Sequence, residues 1–175
     1  MKFPYQLMFA ACLVMLTVSP MKAQGQFIFD ENPLVGKQVL DFNLKTVTGE
    51  SINLNQFRGS DPTMIVFWAT WCASCREELK TLNALEASLK KAGAKVVLVN
   101  LEENPRLVKA YADKLKIPYL ILLDQKSEIA QEYSIIGLPT VFFVNKEGVV
   151  VTMDHGLPEN FAQMLKMMGE ANLKT

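Results

Sequence analysis

The five residues Met64-Ile65-Val66-Phe67-Trp68 are apolar without interruption, and no other stretch limits the fold as strongly. Half-buried strands alternate and surface helices repeat every three to four residues, so a short continuous run bounded by turn residues reads as a strand buried on both faces. The turn-rich Arg58-Gly59-Ser60-Asp61-Pro62 precedes it. From Ala73 onward Leu79, Leu82, Leu85 and Leu89 recur at helical spacing, with Lys90-Lys91 in the last turn and Gly93 as the stop. A central strand therefore feeds a helix expected to run to about Ala92. Lys95 to Leu101 is a second continuous run, and Asn104 then caps a helix opened by Pro105.

Further along, Tyr119 to Leu123 reads as a strand, Glu128 to Tyr133 as a short helix and Thr140 to Val144 as a strand. Asn145 to Gly148 turns into Val149 to Met153, and a last helix spans Glu159 to Met168. Ahead of the central strand, Val39 to Leu54 alternates around Gly49 as a β-hairpin. Strands alternating with helices, together with a hairpin, predict an α/β fold with a mixed sheet flanked by helices on both faces. A chain of 175 residues suits one such domain. Basic and acidic residues balance at 18 each, with no basic block interleaved with aromatics, which excludes an electrostatic footprint for nucleic acid.

The N-terminus places Lys2 ahead of the apolar stretch Leu7 to Val18, then Pro20 and the small Ala23. This is the layout of a signal peptide cleaved after Ala23, and the stretch falls short of the about 20 apolar residues of a membrane span. The expected organisation is a signal peptide over residues 1–23, a lead-in over 24–34 and one domain over 35–170; an uncleaved anchor and a lipidated Cys12 are the alternatives. Cleavage takes Lys2 and Lys22 from the 18 basic groups, leaving 16 against 18 acidic. It also removes Cys12, so that Cys72 and Cys75 stand alone in an exported, oxidising compartment.

Cys72 falls at the first turn of the predicted helix, where unpaired backbone N–H groups and the positive end of the helix dipole favour a thiolate; such sites lower a cysteine pKa from about 8.5 into a range of roughly 3.5 to 7.5. Cys72 is the candidate nucleophile. Cys75 lies one turn further on the same face, within reach of a mixed disulfide on Cys72, and is the candidate resolving thiol. Two other readings stand beside this one. A structural staple closing so short a loop removes little chain entropy. A zinc site needs four ligands, and beyond the pair the chain offers one histidine, His155. No cofactor motif is read.

Phe67-Trp68-Ala69-Thr70-Trp71-Cys72-Ala73-Ser74-Cys75 resembles the active-site strand and turn of the thioredoxin superfamily, and Gly137-Leu138-Pro139-Thr140 resembles its cis-proline loop. The lead-in Val39 to Ser60 and the insert between the two motifs are similar to TlpA/ResA/CcmG-like exported thiol-disulfide reductases. The resemblance covers residues 35 to 170. It implies a thioredoxin-like fold, attack by Cys72, resolution by Cys75, a cis peptide at Leu138-Pro139 facing the pair, and substrate paired along the Leu138 backbone in strand-addition mode. Glu78 matches the acidic residue three positions after the second cysteine and is implied to exchange a proton with Cys75. Glu77 beside it reads as solvated, and Val66 occupies the place where thioredoxins carry an acid. Trp71 is expected to form an exposed apolar rim for substrate and Trp68 to be core. His155, far in sequence from the pair, is expected at the surface without a role.

The function expected is an extracytoplasmic protein thiol-disulfide oxidoreductase working as a reductase, with protein thiols and disulfides as substrates, an upstream electron donor, and cytochrome c maturation as one substrate class the resemblance suggests. One alternative is a peroxiredoxin-like thiol peroxidase. Peroxiredoxins place a threonine three residues before the reactive cysteine, whereas Ala69 holds that position here and Thr70 is one place off. The other is a non-catalytic thioredoxin-fold binding module.

Overall fold

The computed structural model describes residues 32–169, so the expected signal peptide, Cys12 and most of the lead-in lie outside the described residues. Seven strands form one mixed sheet in the order β2-β1-β5-β4-β3-β6-β7. They are β1 (Asn43–Thr46), β2 (Ser51–Asn53), β3 (Thr63–Trp68), β4 (Lys95–Leu101), β5 (Leu120–Asp124), β6 (Thr140–Val144) and β7 (Val150–Asp154). β3, β4 and β5 run parallel, and the remaining pairings are antiparallel. The predicted α/β architecture is the observed one.

All six residues of β3 are buried, as its unbroken apolar run requires. Met64, Val66 and Trp68 face a core filled by Leu79 and Leu82 of α2 (Ala73–Ala84), Leu89 of α3 (Glu86–Lys91), Val108 of α4 (Pro105–Leu115), and Met164 and Met168 of α6 (Phe161–Gly169). Ile65 and Phe67 face a second core with Leu54 of α1 (Leu54–Arg58), Ala130 of α5 (Glu128–Glu132), Tyr133, Phe142, and the incoming Leu34, Val39 and Phe42. Each fully buried side chain of this kind is worth about 1.5–3 kcal/mol relative to exposure, so the strand is held from both sides.

Three local differences from the sequence reading have physical causes. The helix expected to run from Ala73 to Ala92 divides into α2 and α3 at Leu85 (φ −90°, ψ 0°). There the Leu82 carbonyl accepts the Tyr119 hydroxyl at 2.6 Å and the Leu85 N–H, contacts that displace its ordinary bond to Glu86. The short helix α1 has no apolar repeat to reveal it and is started by the Asn53 side chain accepting the Gln56 N–H at 2.9 Å. Strands β5 and β7 begin one residue later than their apolar runs suggest. Asn104 caps α4 as expected, accepting the Arg106 N–H at 2.9 Å, with Pro105 in its first turn.

Tyr133 joins the lead-in to this core. Its ring, wholly buried, contacts Phe42, Phe67 and Phe142 at centroid distances of 5.8, 5.3 and 5.2 Å, and its hydroxyl donates to the Leu40 carbonyl. Tyr133→Ala should lower unfolding free energy by about 3–5 kcal/mol, and Tyr133→Phe by about 1–3 kcal/mol through the Leu40 carbonyl left without its donor. Urea unfolding followed by circular dichroism measures both, and the smaller loss belongs to Tyr133→Phe.

Candidate functional site

β3 ends at Trp68 and α2 begins at Ala73, so only Ala69 to Cys72 make the connection at the carboxyl end of the central strands, where α/β sheets hold their ligands. Cys72 is the N-cap of α2. Its Sγ accepts the Cys75 N–H at 3.1 Å and lies 3.4 Å from the Ser74 hydroxyl. A backbone donor already aimed at this sulfur favours its anionic form, as the position at the helix start predicts. Cys72 and Cys75 are joined as a disulfide, with Cα atoms 5.2 Å apart. Cys72 is 6 % exposed and Cys75 is 0 % exposed, so of the two only Cys72 has any surface open to solvent.

Leu138-Pro139 is a cis peptide. Thr140 Oγ1 donates to the Gly137 carbonyl at 2.7 Å and closes this loop, while Leu138 packs against the core cluster that contains both cysteines. The two motifs, 62 residues apart from Cys75 to Gly137 in sequence numbering, thus border the same core. Trp71 is 69 % exposed and Trp68 is fully buried, as expected. Ile136, at 87 % exposed, adds a second apolar side chain just ahead of the cis-proline loop. The pattern Ile135-Ile136-Gly137-Leu138-Pro139 carried that signal as an apolar pair opening the loop, of which only the first residue turns inward.

Glu78 is half-buried, and its carboxylate faces the segment after β7: a Cβ on Gly156 would lie 3.6 Å from Oε2, and the Leu157 backbone N–H bonds the carboxylate. Oε1 is buried without a hydrogen-bond partner in the protein. Burial raises the Glu78 pKa above the usual carboxylate value; the Leu157 N–H opposes this and the nearby Asp154 charge adds to it. Glu77 is exposed and paired with Lys80 at 2.8 Å, the solvated residue expected. His155 is exposed, but the structure sets it against the cis-proline loop, with Nδ1 3.4 Å from both the Pro139 carbonyl and Thr140 Oγ1. Distance in sequence had placed it away from the site, and the antiparallel β6–β7 pairing brings it back.

Two polar residues at the site also escape the sequence motifs. Glu103, 8 % exposed, accepts the Thr70 N–H at 2.7 Å, the Thr70 hydroxyl, and Asn100 Nδ2 at 2.7 Å. Arg76 Nη1 donates to the carbonyls of Thr70 at 3.2 Å and Trp71 at 3.5 Å. The available signal was the polar Asn100 and Glu103 at the carboxyl end of an otherwise β-branched run beside the central strand. Among the described residues, no group of three or more His, Cys, Asp and Glu side chains is gathered to hold a metal ion. No helix among them is long and apolar enough to cross a membrane.

Residues 35–153 match the AhpC/TSA family. The thiol-disulfide oxidoreductase ResA of Bacillus thuringiensis subsp. konkukian is 30 % identical over 128 residues, 73 % of each chain. Among solved structures, StoA of Bacillus subtilis is 29 % identical with a TM-score of 0.61, covering 78 % of this chain and all of its own. A Chlorobium tepidum chain described as a thiol:disulfide interchange protein DsbE is 25 % identical with a TM-score of 0.69, over 77 % of this chain and 96 % of that one.

The raised pKa of Glu78 has a consequence for stability. An acid whose pKa is higher in the folded state than in the unfolded chain contributes stability at pH below the ordinary carboxylate value, and that contribution is lost as pH rises through the folded pKa. Glu78→Gln should therefore be more stable than the wild type at neutral pH, with the gap closing as pH falls toward about 4, near a model-peptide glutamate. Thermal melts of the disulfide form between pH 4 and 8 report this, and a gap that does not change with pH would contradict it.

Proposed function

We propose a division of labour within the cysteine pair, from the premise that the chain belongs to the AhpC/TSA family and is a thiol-disulfide oxidoreductase of the TlpA/ResA/CcmG-like kind. In the reduced protein the Cys72 thiolate attacks a substrate disulfide, forming a Cys72–substrate mixed disulfide and releasing one substrate thiolate. Cys75 then attacks Cys72 Sγ, forming the Cys72–Cys75 disulfide and releasing the second substrate sulfur. Two electrons pass from the pair to the substrate. Glu78, one turn beyond Cys75, takes the proton that Cys75 must lose, and its burial, which raises its pKa above the usual carboxylate value, suits it to hold that proton.

The single observation that carries this reading is the exposure difference within the disulfide: Cys72 keeps 6 % of its surface open and has a backbone N–H on its sulfur, whereas Cys75 is wholly buried. Trp71 and Ile136 supply apolar contacts for substrate beside the cysteine turn and the cis-proline loop, and the Leu138 backbone pairs with an extended substrate segment. On this reading the domain over residues 35–170 follows a signal peptide or anchor over 1–23, and the protein works outside the cytoplasm as a reductase supplied with electrons from an upstream donor. The apolar stretch Leu7 to Val18 supports that placement, and apocytochrome disulfides, reduced to thiols during cytochrome c maturation, are one substrate class consistent with it.

A thiol peroxidase is disfavoured by a specific bond. The Thr70 hydroxyl, the nearest threonine to the peroxidase position, donates to Glu103 and is not free to serve a peroxide at Cys72. Intact cysteines at a helix start likewise leave the binding-module reading without support.

Cys75→Ser should accumulate a mixed disulfide between Cys72 and a protein substrate, seen as a reducible band on non-reducing gels, whereas Cys72→Ser should trap none. Insulin reduction by either variant should fall at least 100-fold, since no second thiol completes the exchange. Trapping through Cys75 in the Cys72→Ser variant would reverse the assignment.

A further inference from the structure

Glu103 belongs to neither cysteine motif, yet its buried carboxylate is spent on the turn that carries Cys72. Two of its three donors come from one residue, Thr70: the backbone N–H at 2.7 Å and the side-chain hydroxyl. The third is Asn100 Nδ2, at the end of β4, where Asn100 lies in register with Trp68 of β3. The Thr70 carbonyl is taken from the other side by Arg76, the residue after Cys75. Every polar group of Thr70 is thus held, by an anion on the β4–α4 connection and a cation on α2. Charge-assisted bonds of this kind are shorter and stronger than neutral ones, and two to one residue fix its orientation as well as its position.

The chain bends sharply to deliver this carboxylate. Glu102, immediately before it, has φ +57°, a left-handed conformation uncommon for a residue with a Cβ. That bend is secured by the Glu102 N–H donating to the Asp124 carbonyl at 3.1 Å and by the Ser127 hydroxyl donating to Glu102 Oε1 at 2.7 Å. Such conformations persist where surrounding contacts over-determine them, and they collect at functional sites. Here the bend turns Glu103 back from the end of β4 toward the neighbouring β3–α2 turn.

We propose that Glu103 is a positioning residue for thiol-disulfide exchange: acting through Thr70, it fixes the turn so that the Cys72 sulfur and the exposed Trp71 ring meet a protein disulfide in one orientation. The inference rests on Cys72 being the attacking thiol. A disulfide is attacked along its S–S axis, and a 1 Å displacement of a reacting group lowers rates by as much as about 100-fold. A small alkylating reagent imposes no such docking geometry, so the two kinds of reaction separate positioning from thiol reactivity.

The test uses the reduced protein with insulin and with iodoacetamide, each followed across pH to the plateau where Cys72 is fully thiolate. The readout is the ratio of the two plateau rate constants. Glu103→Gln, which keeps the side chain's size but cannot accept all three bonds, should lower this ratio about tenfold. Thr70→Val, which deletes only the hydroxyl, should lower it at least threefold relative to Thr70→Ser, which restores it. A loss of stability leaves the ratio of the folded protein unmoved, so a change of less than threefold in Glu103→Gln overturns the proposal whatever the melting temperature does. If that variant does not fold, the Thr70→Val and Thr70→Ser pair decides, and equal ratios overturn it. Insulin reduction that survives Cys72→Ser shows separately that Cys72 is not the attacking thiol, and it removes this proposal with that reading.

Discussion

Burial of β3 on both faces is the constraint from which the rest of the architecture follows. A strand with no side to give to water requires helices above and below, and parallel neighbours whose crossovers supply them. The side chains of β3 are divided between two cores, one closed by α2, α3, α4 and α6 and the other by α1, α5 and the incoming chain. With the strand immobile, its carboxyl end becomes a fixed point, and four residues beyond it suffice to start α2 with Cys72 as its cap. The sulfur inherits the rigidity of the central sheet without belonging to it.

Two carboxylates lie close to this fixed point and are treated in opposite ways. Glu103 is sealed but fully engaged, with three donors spread over its two oxygens. Glu78 is less buried but poorly served, with a lone backbone donor and one oxygen that has no partner in the protein. The first carboxylate is committed to holding the Thr70 turn, whereas burial of the second, with few donors to offset it, raises its pKa above the usual carboxylate value. Burial alone does not decide which role a glutamate takes. The hydrogen bonds each carboxylate finds matter as much.

Most of the fold was legible because its signals are local and repeated. The run at β3 and the Asn104-Pro105 start of α4 survive in the structure within a residue or two, and the leucine-spaced helix begins at Ala73 as expected. The break at Leu85 was not legible, because its cause is the Tyr119 hydroxyl, 34 residues further along the chain. At the site, Cys72, Cys75, Trp71, Leu138 and Pro139 were named from two short motifs whose meaning is carried by spacing. Glu103, Arg76 and Ile136 were not, since a glutamate after a strand, an arginine on a helix and an isoleucine in a loop are common everywhere and acquire significance only from what they touch.

The sequence by itself determined the α/β class, the central strand and the identity of the redox pair, because apolar periodicity and a Cys-X-X-Cys at a helix start are properties of neighbouring residues. Only the tertiary structure decided which cysteine faces outward, which glutamate is left short of donors, and that Glu103 and His155 reach the active-site loops at all. Those are outcomes of strand order: β4 lies beside β3 and β7 returns beside β6, so residues 33 and 15 positions away come within hydrogen-bonding distance of Thr70 and Thr140. Solvation and hydrogen-bond count, which set what a carboxylate or a sulfur can do, depend on that three-dimensional neighbourhood and on nothing that a linear pattern records.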